Sequence, residues 1–215
     1  MQKPTDQTAT TPGPGASHAL PRHPLCVDLD GTLIVGDSSR KLLVHALRAT
    51  PVKTIGAVAR AGGASAAIKR WLSAGAPDLD RFVATLEIAE PVYNFAVQQS
   101  AGGRKVVLAT GADLAVADAV RRAYPVFTEV VASDGVCNMT GRNKAARLKA
   151  LYPEGFDYIG NAAPDIHVWQ AAVTGYAWGC PAPVLRRARA MGLDVLPLNT
   201  PSSPALDAGA KGVRQ

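Results

Sequence analysis

The chain has 215 residues, 47% of them hydrophobic, enough for one globular domain of ordinary size plus a modest insertion. No run approaches the roughly 20 apolar residues of a membrane helix. Met-Gln-Lys-Pro-Thr-Asp at the start has no apolar run behind its charge and so does not read as a secretory signal, and three scattered cysteines (Cys26, Cys137, Cys180) argue against a disulfide framework. These features predict a soluble, cytoplasmic protein, and a net charge of +6 favours anionic partners such as phosphorylated metabolites, nucleic acid or an acidic membrane surface.

Residues 1–22 are rich in Thr, Pro, Gly, Ser and Ala without apolar periodicity, and are expected to be a disordered tail; the end, 199–215, reads the same way. Between them the pattern changes abruptly. Leu25-Cys26-Val27 runs into Asp28-Leu29-Asp30-Gly31-Thr32, a short apolar run ending in Asp and Gly, as expected of a buried parallel strand that feeds a functional loop. Residues 34–99 then read as helices only, over Ser39 to Ala49, Lys53 to Ala61, Ala66 to Ala74, Leu79 to Ala89 and Pro91 to Gln99. Such a stretch between two strands is expected to be a helical cap inserted after the first strand. From Ser38 to Pro77 it contains seven Lys or Arg and no Asp or Glu. One reading is a solvated basic surface; the other is a face that selects a phosphorylated substrate or rests on an anionic membrane.

The strand grammar returns at Lys105 to Ala109, which ends in Thr110-Gly111, and more weakly at Glu129 to Ala132. It recurs at Phe156 to Ile159, which ends in Gly160-Asn161, and at Gly175 to Trp178. Helical patterns lie between: Leu114 to Tyr124, a helix through Ala146 to Leu151 that Asn143 is positioned to cap, and one opened by Asp165. Alternating strands and helices predict a three-layer α/β core, a Rossmann-like parallel sheet built from 23–33 and 100–198.

Sites in such sheets gather at the carboxyl ends of the strands. Asp28, Asp30, Thr110, Asn161 and Asp165 collect there, with Lys144 at a helix start: an acid pair, a hydroxyl, a cation and a second polar group suited to a phosphoryl group and a divalent metal. Two carboxylates two residues apart repel unless a cation lies between them or one is protonated. A hard cation with oxygen ligands, Mg²⁺ beside a phosphate, fits them. Gly31 permits a sharp turn whose amides are placed to receive phosphate oxygens. A calcium loop would continue with acids at alternate positions, whereas Thr32-Leu33-Ile34-Val35 follows. His18, His23, His45 and His167 show no pairing, the three tryptophans are not interleaved with basic residues, and no nucleic-acid module is present.

Asp28-Leu29-Asp30-Gly31-Thr32 after an apolar strand resembles the first motif of the haloacid dehalogenase superfamily. The similarity extends from about Leu25 to Leu198, and the stretches Val106 to Gly111 and Phe156 to Trp169 are most similar to the variant found fused to or beside UbiA-type prenyltransferases. The resemblance implies a Mg²⁺-dependent phosphatase working through an aspartyl-phosphate. Asp28 would be the nucleophile; Asp30 would be the acid and base, its backbone carbonyl helping to hold the metal. Thr110, with Gly111, would bind the phosphoryl oxygens, and Lys144 would neutralise their charge. The fourth motif departs from the superfamily's usual Gly-Asp: Gly160 is followed by Asn161, so Asn161 and Asp165 would complete the metal site with less charge. The implied partners are a phosphorylated small molecule or a polyprenyl-linked phosphate, with prenyltransferase association or peripheral membrane contact as the extension. A phosphotransferase or phosphomutase on the same scaffold, and a binding or regulatory domain that has lost turnover, are the alternatives.

Overall fold

The computed structural model describes residues 23–49, 51–60, 70–74 and 78–198. Both tail expectations, and the first part of the helix expected over Ala66 to Ala74, lie outside these residues.

Six strands form one parallel sheet: β1 (Leu25–Val27), β2 (Val106–Asp113), β3 (Glu129–Ser133), β4 (Asp157–Gly160), β5 (Thr174–Ala177) and β6 (Val195–Pro197). Their spatial order is β3-β2-β1-β4-β5-β6. Cys26 sits opposite Val107 on one side and Tyr158 on the other. The chain leaves β1 toward β2 and β3, then crosses back to β4, β5 and β6. Neighbouring loops therefore diverge between β1 and β4, where a crevice opens at the carboxyl ends of the strands. The strands read as continuous apolar runs because both faces are covered. Leu25 and Val27 belong to the core on one face and Cys26 to the core on the other, all fully buried. Each large aliphatic side chain so buried contributes about 1.5–3 kcal/mol.

The helices are α1 (Ser38–Ala49), α2 (Pro51–Arg60), α3 (Leu79–Ala84), α4 (Glu90–Ala101), α5 (Leu114–Ala123), α6 (Gly141–Leu151), α7 (Ile166–Trp169) and α8 (Ala182–Ala190). Among the described residues no helix is long and apolar enough to cross a membrane.

Several elements differ from the sequence expectation. The helix expected over Leu79 to Ala89 stops at Ala84; beyond it Ile88 pairs antiparallel with Ile34, Val35 N–H donates to Glu87 C=O at 2.9 Å, and Ala89 N–H donates to Leu33 C=O at 2.8 Å. The two crossings between sheet and inserted helices are thus bonded to each other. Helix α4, which the pattern runs together with the insertion, lies against β1 and β2 and belongs to the layer over the sheet. Asn143 does not cap α6. The helix begins earlier, after Thr140, and the Asn143 amide group turns back to donate to Asn138 C=O at 3.0 Å.

At the amino end of the sheet, away from the crevice, Arg104 and Asp157 form a pair that is 1% exposed on both sides, with N···O 2.5 Å. Arg104 also donates to His23 C=O and to Gln99 Oε1, both at 2.9 Å. A charge this deeply buried is retained only when its donors are satisfied.

Candidate active site

The crevice between β1 and β4 holds a cleft of about 380 Å³. Asp28, Asp30, Gly31, Gly111, Lys144, Asn161 and Asp165 all line it, so most of the residues singled out in the sequence meet in one place.

Asp28 ends β1 and is 7% exposed. Lys144, in the first turn of α6, reaches across the sheet and donates to Asp28 Oδ1 at 2.7 Å. Burial is the largest influence on Asp28 and pushes its carboxyl up to about 7, with Asp165 and Asp30 pushing the same way; the Lys144 ammonium pulls it down. Asp30 is held from the other side, where Ser38 N–H at the start of α1 donates to its Oδ1 at 2.6 Å. An acid two residues from the first is therefore fixed in the same cleft by the first turn of the inserted helices.

Gly31 has φ +74, and a Cβ there would lie 2.1 Å from Asn161 Nδ2. Both the left-handed backbone and the contact with Asn161 require glycine. Three amides of the turn are engaged within it. Gly31 N–H donates to Gly36 C=O, Thr32 N–H to Leu29 C=O and Leu33 N–H to Asp28 C=O, at 2.8–3.2 Å. Thr110 differs from its expected place. It is fully buried, its Oγ1 accepts from Ala112 N–H at 2.9 Å, and it is its neighbour Gly111 that lines the cleft.

Asp165, expected to be a metal ligand or to hold a metal-bound water, lines the cleft and is tied into its wall. Its Oδ2 accepts from the N–H groups of Asn161 and Ala162, both at 2.9 Å, and its Oδ1 accepts from Tyr158 O–H at 2.7 Å. With both oxygens engaged and 3% exposure, it anchors the Asn161 loop. Tyr158 is the residue the sequence reading missed. Fully buried on β4, its hydroxyl accepts from Lys144 Nζ at 2.8 Å while donating to Asp165, joining the cation to the acid. The ordered chain Asp28–Lys144–Tyr158–Asp165 sets the ammonium in place from two sides.

Tyr158→Phe leaves Lys144 and Asp165 one partner short at a buried position. We expect a loss of about 1–3 kcal/mol in denaturant unfolding and a fall in turnover of about tenfold to a hundredfold as Lys144 loses its aim. An unfolding midpoint and a turnover equal to wild type would remove Tyr158 from the site.

The cleft's donor set suits a hard cation. Four carboxylates (Asp28, Asp30, Asp37, Asp165) and one ammonium line it, so a phosphate dianion entering alone would meet net negative charge. Among the described residues Asn161 Oδ1 is buried and accepts no hydrogen bond, an orphaned oxygen at the cleft's edge. Among the described residues no three His, Cys, Asp or Glu side chains are grouped to hold a metal. A cation here would draw on the Asp28 carboxylate and amide-type oxygens, which Mg²⁺ accepts when water fills the rest.

No family model matches the chain. It is 31% identical over 157 residues to an uncharacterised protein, y4nM, of Sinorhizobium fredii, a match that takes in 69% of this chain and 28% of that much longer protein. Among solved structures it resembles the HAD family hydrolase t0658 of Salmonella enterica serovar Typhi, at 17% identity and TM-score 0.60, over 79% of this chain and 66% of that one. It also resembles phosphoserine phosphatase. The substrate-bound complex aligns at 15% identity and TM-score 0.56, over 84% of this chain and 95% of that one. The phospho-aspartyl intermediate analogue aligns at 12% and TM-score 0.53, over 83% and 94%. With its six parallel strands, its crevice between β1 and β4 and these neighbours, the chain has the fold of the haloacid dehalogenase superfamily of hydrolases.

Proposed function

We propose that the protein is a Mg²⁺-dependent phosphomonoester hydrolase that works through a phosphorylated Asp28. The observation that carries the reading is the buried Asp28 carboxylate, 2.7 Å from the Lys144 ammonium, in a cleft shared with a second, separately held acid. Asp28 attacks phosphorus as the ester P–O bond breaks, and Asp30 gives its proton to the leaving alcohol oxygen. Asp30, now a carboxylate, takes a proton from water as that water attacks phosphorus; the bond to Asp28 breaks and inorganic phosphate leaves. Lys144 offsets the charge that develops on the phosphoryl oxygens, and the amino end of α6, where Thr140 and Gly141 line the cleft, adds partial positive charge. Asp28, Asn161 and the Asp30 backbone carbonyl would hold Mg²⁺, which when bound neutralises phosphoryl charge and favours ionised Asp28.

Asp28 must be ionised to attack. Its raised value predicts that turnover of an aryl phosphate at limiting Mg²⁺ climbs with pH through about 7. Added Mg²⁺ is expected to move that limb to lower pH, because a cation beside the carboxylate favours the charged form. The check is kcat/KM against pH at two Mg²⁺ concentrations; activity indifferent to chelation, or a limb that stays put, counts against the proposal.

The substrate class we extend to includes polyprenyl-linked phosphates, with prenyltransferase association or a peripheral membrane contact, on the strength of the motif resemblance and the basic charge of the insertion. A second reading, a binding domain without turnover, is favoured by one observation: Asn161 stands where a charged ligand is usual. Metal-independent background hydrolysis alone would select it.

A further inference from the structure

Helix α1 carries Arg40, Lys41, His45 and Arg48 at spacings that set them along one stripe, and all four line a second hollow, of about 460 Å³, floored by Phe82 of α3. Among the described residues no carboxylate lines this hollow, and Arg40, Lys41 and Arg48 make no ion pair. The sequence supplies no acid between Ser38 and Pro77 to offset these charges.

The hollow adjoins the catalytic cleft. Lys41 Nζ donates to Val35 C=O at 2.9 Å, which lays its stem over Gly36, within 3.6 Å of where a Cβ would stand. Gly36 and Asp37 line the cleft itself, and Asp37 caps α1 by accepting from Arg40 N–H at 2.8 Å. The chain passes from one cavity to the other within a single helical turn.

We infer that this hollow is a second anion-binding subsite, which takes a phosphate or carboxylate at the far end of a substrate whose phosphomonoester lies against Asp28. Two guanidinium groups provide paired donors matched to such oxygens, and Phe82 gives an apolar surface for the segment joining the two anionic ends. The inference rests on the hydrolase reading and narrows its substrates to phosphomonoesters bearing a second anionic group.

The test compares alkanediol bisphosphates of increasing length with the matching alkyl monophosphates, in wild type and in Arg40→Ala/Arg48→Ala. Wild type is expected to favour at least one bisphosphate in kcat/KM by on the order of tenfold or more, the scale of one or two charge-assisted hydrogen bonds. The double variant is expected to bring that ratio to parity. No preference in wild type, or an unchanged ratio in the variant, overturns the subsite. Calorimetric binding of the favoured bisphosphate to Asp28→Asn protein, with and without the two arginines, separates the two readings. Binding that weakens about tenfold without the arginines, where wild type itself shows no turnover, sustains the subsite while the hydrolase reading falls. Binding indifferent to the arginines removes the subsite whatever the turnover. Sedimentation with phosphatidylglycerol vesicles is the third arm: arginine-dependent vesicle binding with no bisphosphate preference makes the face a membrane contact and overturns the inference.

Discussion

Asp28→Asn is expected to reduce turnover of an aryl phosphate by on the order of 10⁴-fold or more, the scale on which an enzyme loses its nucleophile, while the protein stays folded. The substituted amide has nearly the same shape, and its oxygen still accepts from Lys144, 2.7 Å from Asp28 Oδ1 in the native site. What disappears is the charge and the lone pair that attacks phosphorus. Because burial already brings Asp28 up to about 7, the neutral form is well populated near neutrality, and its neutral replacement perturbs the fold little. The decisive measurement is a pair. Wild type should acquire a hydroxylamine-sensitive label from radiolabelled substrate, and the variant should acquire none. Equal turnover in both proteins would mean that water attacks directly or that the cleft is not catalytic, and either result sinks the covalent reading.

The parts of the fold legible in sequence are those where burial is nearly complete. Leu25–Val27 and the runs Lys105 to Ala109 and Phe156 to Ile159 were readable as strands because helices cover both faces of β1, β2 and β4. Strand β6 escaped because it is an edge: Leu196 is 40% exposed and Pro197 lacks an amide, so no apolar run marks it. The pair Asp28 and Asp30 was legible because a spacing of two at a strand end brings both carboxylates to one cleft. Tyr158 was not, since an aromatic inside a buried strand looks like packing until its hydroxyl is seen between Lys144 and Asp165. The work of Asp165 was equally hidden. Spacing places it near Asn161, but only the loop's curvature turns both amides onto one of its oxygens. Thr110 illustrates the reverse: it follows the apolar run as the sequence shows, yet β2 continues past it and its hydroxyl is taken by Ala112 N–H.

Lys144→Met tests the electrostatic frame rather than the reacting atom. Methionine fills most of the space of the lysine stem but leaves Asp28 and Asp165 facing each other in a buried site without their shared cation. Breaking a buried pair by deleting one partner costs about 3–5 kcal/mol, because the remaining charge keeps its desolvation penalty. The loss should depend on pH, with a definite sign. Asp28 has a folded value of about 7 against an unfolded value near 3.8, so folding favours its protonated form. The stability tied to that proton is fully present below the unfolded value and is lost as pH rises through the folded one. Removing Lys144 takes away the main influence holding the carboxyl down, so the folded value rises further and the penalty grows at neutral and alkaline pH. Acidification relieves it by neutralising the acid. Melting temperatures of wild type and variant should therefore lie far apart at pH about 8 and converge toward pH about 4, with turnover lost throughout. A gap that widens on acidification would mean that Lys144 is not the counter-charge of Asp28, and would leave the nucleophile without the partner its chemistry requires.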